Sequence, residues 1–287
     1  MKYDFNTDKM RGKIQINLNE WIQPSNGLKI YQISGKSTPT CYTRASFVGE
    51  GVDLNTKDIL FISRVARDVA TTPFAFYKVE ENKYFDLPEE QVIGTFKGEI
   101  TLDNLTLRNK NIIFEKIEKV QDSILYIEEK DTMLGKVIKT AENSFLKEGD
   151  IISVRDNVST PFMDNYYAVE EKFVVGVFHG GTSIQDMEVK NEYILMKPYI
   201  AKGVLNSTVL ETAGIDYDYL DYSDINNKNL FKVIYADKSI KDIKPNDLIL
   251  VDKNFTNYMY YENEKYFVIN EKKWISGKII EREEKCN

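Results

Sequence analysis

Histidine occurs once in this 287-residue chain, and cysteine and tryptophan occur twice each. A single histidine excludes a histidine-based metal site, and any nucleophile–histidine pair would depend on His179 alone. That residue stands beside Gly180-Gly181 and reads as part of a join. Cys41 and Cys286 imply no framework of bridges, so a reduced, cytosolic setting is expected. Long apolar runs are missing too. None approaches the ~18 residues that a membrane helix needs, and the opening MKYDFNTDKMRGK lacks the apolar core of a signal peptide. A net charge of -7 argues against a surface that tracks phosphates over the whole molecule. There is no glycine-rich dinucleotide signature, nucleophile elbow or zinc spacing. Gly35-Lys36-Ser37 has the tail of a phosphate loop, but Ile30 stands where the earlier glycine belongs. Helical periodicity is also scarce: no segment holds an apolar stripe for three turns, and residues 209–215 come nearest.

What is present is a repeat. Residues 148–178 (EGDIISVRDNVSTPFMDNYYAVEEKFVVGVF) have altered counterparts at 57–96 and 246–279. Asp58, Asp150 and Asp247 each precede an apolar strand (ILFI, IISV, LILV). An aromatic strand start follows at Tyr84-Phe85, Tyr166-Tyr167 and Tyr266-Phe267, and a strand with one glycine closes each unit (VIGTF, VVGVF, ISGKI). Arg67-Asp68 with Thr71 to Phe74 matches Arg155-Asp156 with Ser159 to Phe162. Three segments in one order at a period of roughly 90 to 100 residues constitute an internal triplication. The expected units are 1–97, 98–186 and 187–287, joined at Lys97-Gly98 and at His179 to Gly181, where periodicity stops and glycine appears.

Within each unit the pattern is that of short strands. Ile14, Ile16 and Leu18 alternate with polar neighbours; Pro24 to Gly27 make a turn, and residues 28–31 return. Residues 111–117 and 123–127 repeat that script, as do 191–198 and 231–235, with an acidic, tyrosine-rich insertion at 216–224. Hydrophobic content of 42% and charge of 29% describe a globular chain, and the 18 tyrosines and 15 phenylalanines suit pleated, half-buried surfaces. The class is all-β.

The strand order of the middle unit resembles the co-chaperonin (GroES-like) β-barrel. The pieces that carry the likeness are residues 111–118, Ser123-Ile124-Leu125-Tyr126, Gly135 to Ile138, Leu146-Lys147-Glu148-Gly149-Asp150 with its strand, and Val174 to Phe178. The third unit is similar, and the first is the most diverged. The resemblance implies three tandem small GroES-like β-barrel domains. Two departures stand out. The turn at 118–122 is too short to serve as the family's long mobile loop, since extended chain spans at most ~3.5 Å per residue. The roof hairpin is likewise cut to Ala141-Glu142-Asn143-Ser144 or Ala236-Asp237-Lys238-Ser239.

No catalytic, cofactor-binding or metal-binding residue is expected. Asp216, Asp218, Asp221 and Asp224 could hold a hard cation, but they lack the glycine and terminal glutamate of a calcium loop and read as a wet surface. The three anchor aspartates read as caps of backbone amides, and Arg67-Asp68 as a surface pair worth ~0–1 kcal/mol. The apolar hairpin tips are the partner-binding candidates: Leu28, Ile30 and Tyr31; Ile124, Leu125 and Tyr126; Val204 and Leu205. Packed inside, they are ordinary strand residues; exposed, they are anchors. Fused repeats, trimmed loops and no enriched polar set lead to two expectations. The first is a non-enzymatic auxiliary protein of a phage capsid or similar assembly, which would place it in the virion after assembly in the host cytoplasm. The second is a cytoplasmic co-chaperonin-like factor that docks its hairpin tips on a chaperonin. Neither requires a cofactor, nucleic acid or membrane.

Overall fold

The computed structural model describes residues 13–22, 41–70, 72, 75–117, 133–155, 158–163, 165–199, 228–252, 257–261, 264–270 and 272–279. They are nearly all strand. The first group is β1 (Lys13–Asn17), β2 (Tyr42–Val48), β3 (Ile59–Ile62), β4 (Tyr77–Val79), β5 (Asn82–Pro88), β6 (Val92–Phe96) and β7 (Leu105–Leu107). The second is β8 (Asn111–Lys116), β9 (Met133–Thr140), β10 (Ile151–Val154), β11 (Thr160–Met163), β12 (Tyr166–Glu170), β13 (Val174–Phe178) and β14 (Met187–Val189). The third is β15 (Ile194–Pro198), β16 (Lys228–Ala236), β17 (Leu248–Asp252), β18 (Tyr258–Tyr261), β19 (Glu264–Ile269) and β20 (Ile275–Ile279). One α-helix, α1 (Arg64–Ala70), occurs among the described residues.

The three groups form three antiparallel sheets with one strand order: β4-β5-β1-β2-β3-β6-β7, β11-β12-β8-β9-β10-β13-β14 and β18-β19-β15-β16-β17-β20. The likeness extends to irregularities. A register shift interrupts the central pairing at Gln15/Ile16, Ile113/Phe114 and Leu195/Met196. A single 3-10 turn precedes each closing strand, at Glu89–Gln91, Glu171–Phe173 and Lys272–Trp274. Bulges are local, side-chain-specific features, so their recurrence at equivalent points marks one module used three times.

The anchor turns explain the Leu-x-x-Gly-Asp signal. The amides of Asp58, Asp150 and Asp247 donate to the carbonyls of Asn55, Lys147 and Lys244. Asp150 and Asp247 also accept from the amides of Lys147 and Lys244 at 2.8 and 2.6 Å, and so close the turn from both sides. In the first sheet Asn55 does this work instead, accepting from Lys57. The residue before the aspartate is left-handed in two turns, Gly149 at φ 92° and Asn246 at φ 74°. Those are the residue types that tolerate that region.

By spatial contact the described residues up to Phe173 form one compact unit and those from Val174 a second. The step between them falls after β12, inside the second sheet. The strand after each expected join, β7 and β14, pairs with the closing strand before it, β6 and β13. The two joins turn alike, with Gly98 at φ 95° and Gly180 at φ 91°.

Candidate interaction surfaces

All eight hairpin-tip candidates, Leu28, Ile30, Tyr31, Ile124, Leu125, Tyr126, Val204 and Leu205, lie outside the described residues. So do Gly35-Lys36-Ser37, the helical candidate at 209–215 and the acidic insertion at 216–224. Among the described residues, no group of three or more His, Cys, Asp or Glu could hold a metal ion.

The described surfaces that do engage a neighbour are aromatic joints, one inside each compact unit. In the first unit, Phe162 on β11 packs against the open end of the first sheet. Its ring stacks on Phe96 (6.0 Å between centroids, 15°) and tilts against Phe61 (5.5 Å). Tyr42 donates its hydroxyl to the Phe162 carbonyl at 2.7 Å, and the Arg64 amide donates to Thr160 Oγ1 at 2.9 Å. In the second unit, Tyr261 on β18 stacks on Phe178 (5.8 Å, 20°) and donates its hydroxyl to the Thr182 carbonyl. Phe96 and Phe178 are the last residues of VIGTF and VVGVF. The same position therefore receives an aromatic from the edge strand of the following sheet on both occasions.

The faces that meet at these joints differ in polarity with position. Ile113 and Ala168, opposite one another on β8 and β12, are buried in the core shared with the first sheet. Leu195 and Val268 hold the equivalent places in the third sheet and are also buried. In the first sheet the pair is Gln15 and Asp86. Gln15 donates to the Tyr77 hydroxyl, and Tyr77 donates in turn to Asp86 at 3.2 Å. This station is polar in the first sheet even though Gln15 is itself buried.

A second recurring clamp went unread in the sequence. Asn109 and Asn191, both left-handed, donate to the carbonyls of Val92 and Val174, the first residues of the closing strands, at 3.1 and 2.8 Å. The preceding amides, Arg108 and Lys190, bond to Ile93 and Val175. The signal was available as Arg-Asn-Lys and Lys-Asn-Glu, whose asparagines stand two residues before β8 and three before β15.

His179 follows β13 and pairs with Glu188 at 3.0 Å. Lys190 and Lys238 hold the same carboxylate at 2.9 and 3.1 Å. Lys190 foremost, then His179 and Lys238, lower the Glu188 carboxyl to about 2. The cluster is a charge clamp.

The match of Arg67-Asp68 to Arg155-Asp156 is not kept in local structure. Arg67 and Asp68 lie in α1, where Asp68 meets Arg64 at 3.7 Å and the Arg67 guanidinium covers the Trp21 ring at 3.9 Å. Arg155 follows β10 outside any element, and Asp156 lies outside the described residues. Cys41 is buried beneath this helix-bearing region, and burial pushes its thiol up to about 12. A thiol so raised is inert as a nucleophile.

No protein-family model and no curated protein matches this chain.

Proposed function

We propose that the protein is a non-enzymatic assembly protein: an auxiliary, stabilising protein of a phage capsid or comparable particle, bridging neighbouring subunits through its β surfaces. The observation that carries this reading is the reuse of one docking position. Phe96 and Phe178 each receive an aromatic from the next sheet's edge strand, so the chain is a series of modules made to be joined face to edge. Several modest contact patches on one chain bind with summed strength, because each contact after the first is effectively intramolecular. The tips at Leu28, Ile30, Tyr31, Ile124, Leu125, Tyr126, Val204 and Leu205 supply such patches. Virion localisation follows from this role.

The test is affinity capture of the chain from its native source, followed by mass spectrometry. A particle's coat subunit should dominate the recovered partners. Recovery of no multisubunit particle would remove the proposal's main support.

The likeness in strand order to the co-chaperonin barrel favours a second reading, a factor that docks on a chaperonin. That reading requires binding that follows the chaperonin's nucleotide state and is lost in the double variant Ile124→Asp/Leu125→Asp. Refolding assays unaffected by the protein would count against it.

A further inference from the structure

The first two sheets have a strand that the third lacks among the described residues. β7 and β14 lie on the outer edges of β6 and β13, whereas β20 ends its sheet. The glycine at the centre of each closing strand records the difference. A Cβ at Gly94 would sit 2.6 Å from the Thr106 carbonyl oxygen, and one at Gly176 2.5 Å from Met187 Cγ. A Cβ at Gly277 would meet nothing within 4 Å. Glycine inside a strand marks the close approach of another backbone, and at Gly277 none of the described residues supplies it. β6 and β13 are buried along their whole length; β20 is exposed at Ser276 and Lys278.

We infer that the outer edge of β20 takes an extended apolar–polar–apolar segment from a neighbouring protein subunit, added antiparallel as a seventh strand. The chain carries two examples of what this edge accepts. Leu107, Thr106 and Leu105 face Gly94, Thr95 and Phe96; Val189, Glu188 and Met187 face Gly176, Val177 and Phe178. Transferred to β20, the same register puts the outer residues of the incoming triplet opposite Gly277 and Ile279 and its middle residue opposite Lys278. That middle residue is polar in both examples, Thr106 and Glu188, and Lys278 itself already pairs with Asp247 at 2.6 Å. Main-chain bonds give such strand addition its affinity, and the alternate side chains give specificity. The partner's being a subunit of an assembly rests on the function proposed above; strand uptake at β20 does not.

The experiment titrates the full chain with the peptide Asp186–Lys190 (DMEVK) and with a scrambled control, reading backbone amide shifts by NMR. The expected result is saturable shifts across β20 with the first peptide only. Gly277→Val should weaken binding at least about tenfold, equivalent to ~1.4 kcal/mol, with an unchanged melting temperature. The assignment is overturned by equal binding in Gly277→Val or by shifts no larger than the control's. It is also overturned if the β20 amides are already protected from exchange in the isolated chain, or if the chain self-associates through this edge and Gly277→Val abolishes that. Peptide binding without co-purification with any particle would remove the assembly role and leave the strand site standing.

Discussion

At the scale of single residues, backbone geometry and one carboxylate make separate demands. Gly149 sits at φ 92°, where a side chain is strained, so Gly149→Ala should cost ~1–2 kcal/mol in urea denaturation. Gly94→Val and Gly176→Val force a side chain against the crossing strand and should each cost ~1–3 kcal/mol. Gly277→Val should leave stability unchanged, since its Cβ finds open space. Glu188 titrates at about 2 in the folded state, below the ordinary glutamate value, because Lys190, His179 and Lys238 favour its charged form. A depressed carboxyl stabilises the fold fully above its unfolded value, and that contribution is lost as pH falls toward about 2. The melting temperature should therefore drop over that acid window, and Glu188→Gln should flatten that part of the profile. An unchanged profile in the variant would contradict the clamp.

At the scale of elements, the joints should dominate the mutational response. Phe162 touches Phe61 and Phe96 and is almost wholly buried, so Phe162→Ala should cost ~3–5 kcal/mol by denaturant titration. Tyr77, the outer-strand aromatic of the first sheet, is 38% exposed, and Tyr77→Ala should cost far less. Much of this level was legible beforehand. Alternation in KIQIN and the apolar runs ILFI, IISV and LILV placed strands where they stand, though Gln15 and Asn17 are buried too, so β1 is covered on both faces. Asp150 and Asp247 were readable as caps for the same local reason, whereas at Asp58 the capping falls to Asn55. α1 was not legible, since its seven residues show no stripe: Val65 and Val69 point outward, and Ala66 and Ala70 alone face the core. The joints were not legible either. Phe96 and Phe162 lie far apart in sequence, and an aromatic at a strand end looks the same whether it fills its own sheet or caps the next. Asn109 and Asn191 were overlooked because a left-handed asparagine resembles any polar turn until its long-range acceptor is seen.

At the scale of the molecule, one strand order is used three times, and sequence recurrence was enough to find it. The polarity of the outer faces could not be interpreted from sequence alone. Gln15 and Asp86 look like ordinary polar strand residues until the structure puts Ile113 with Ala168, and Leu195 with Val268, at the same stations. The contrast separates the first sheet from the other two. The function proposed above assigns the chain's work to its surfaces. The most direct measurement of that claim is gradient sedimentation of a native-source lysate, with the chain followed by mass spectrometry. The account predicts that it travels with a multisubunit particle and is released when the particle is dissociated. A chain that sediments alone, in lysate where intact particles are present, would contradict it.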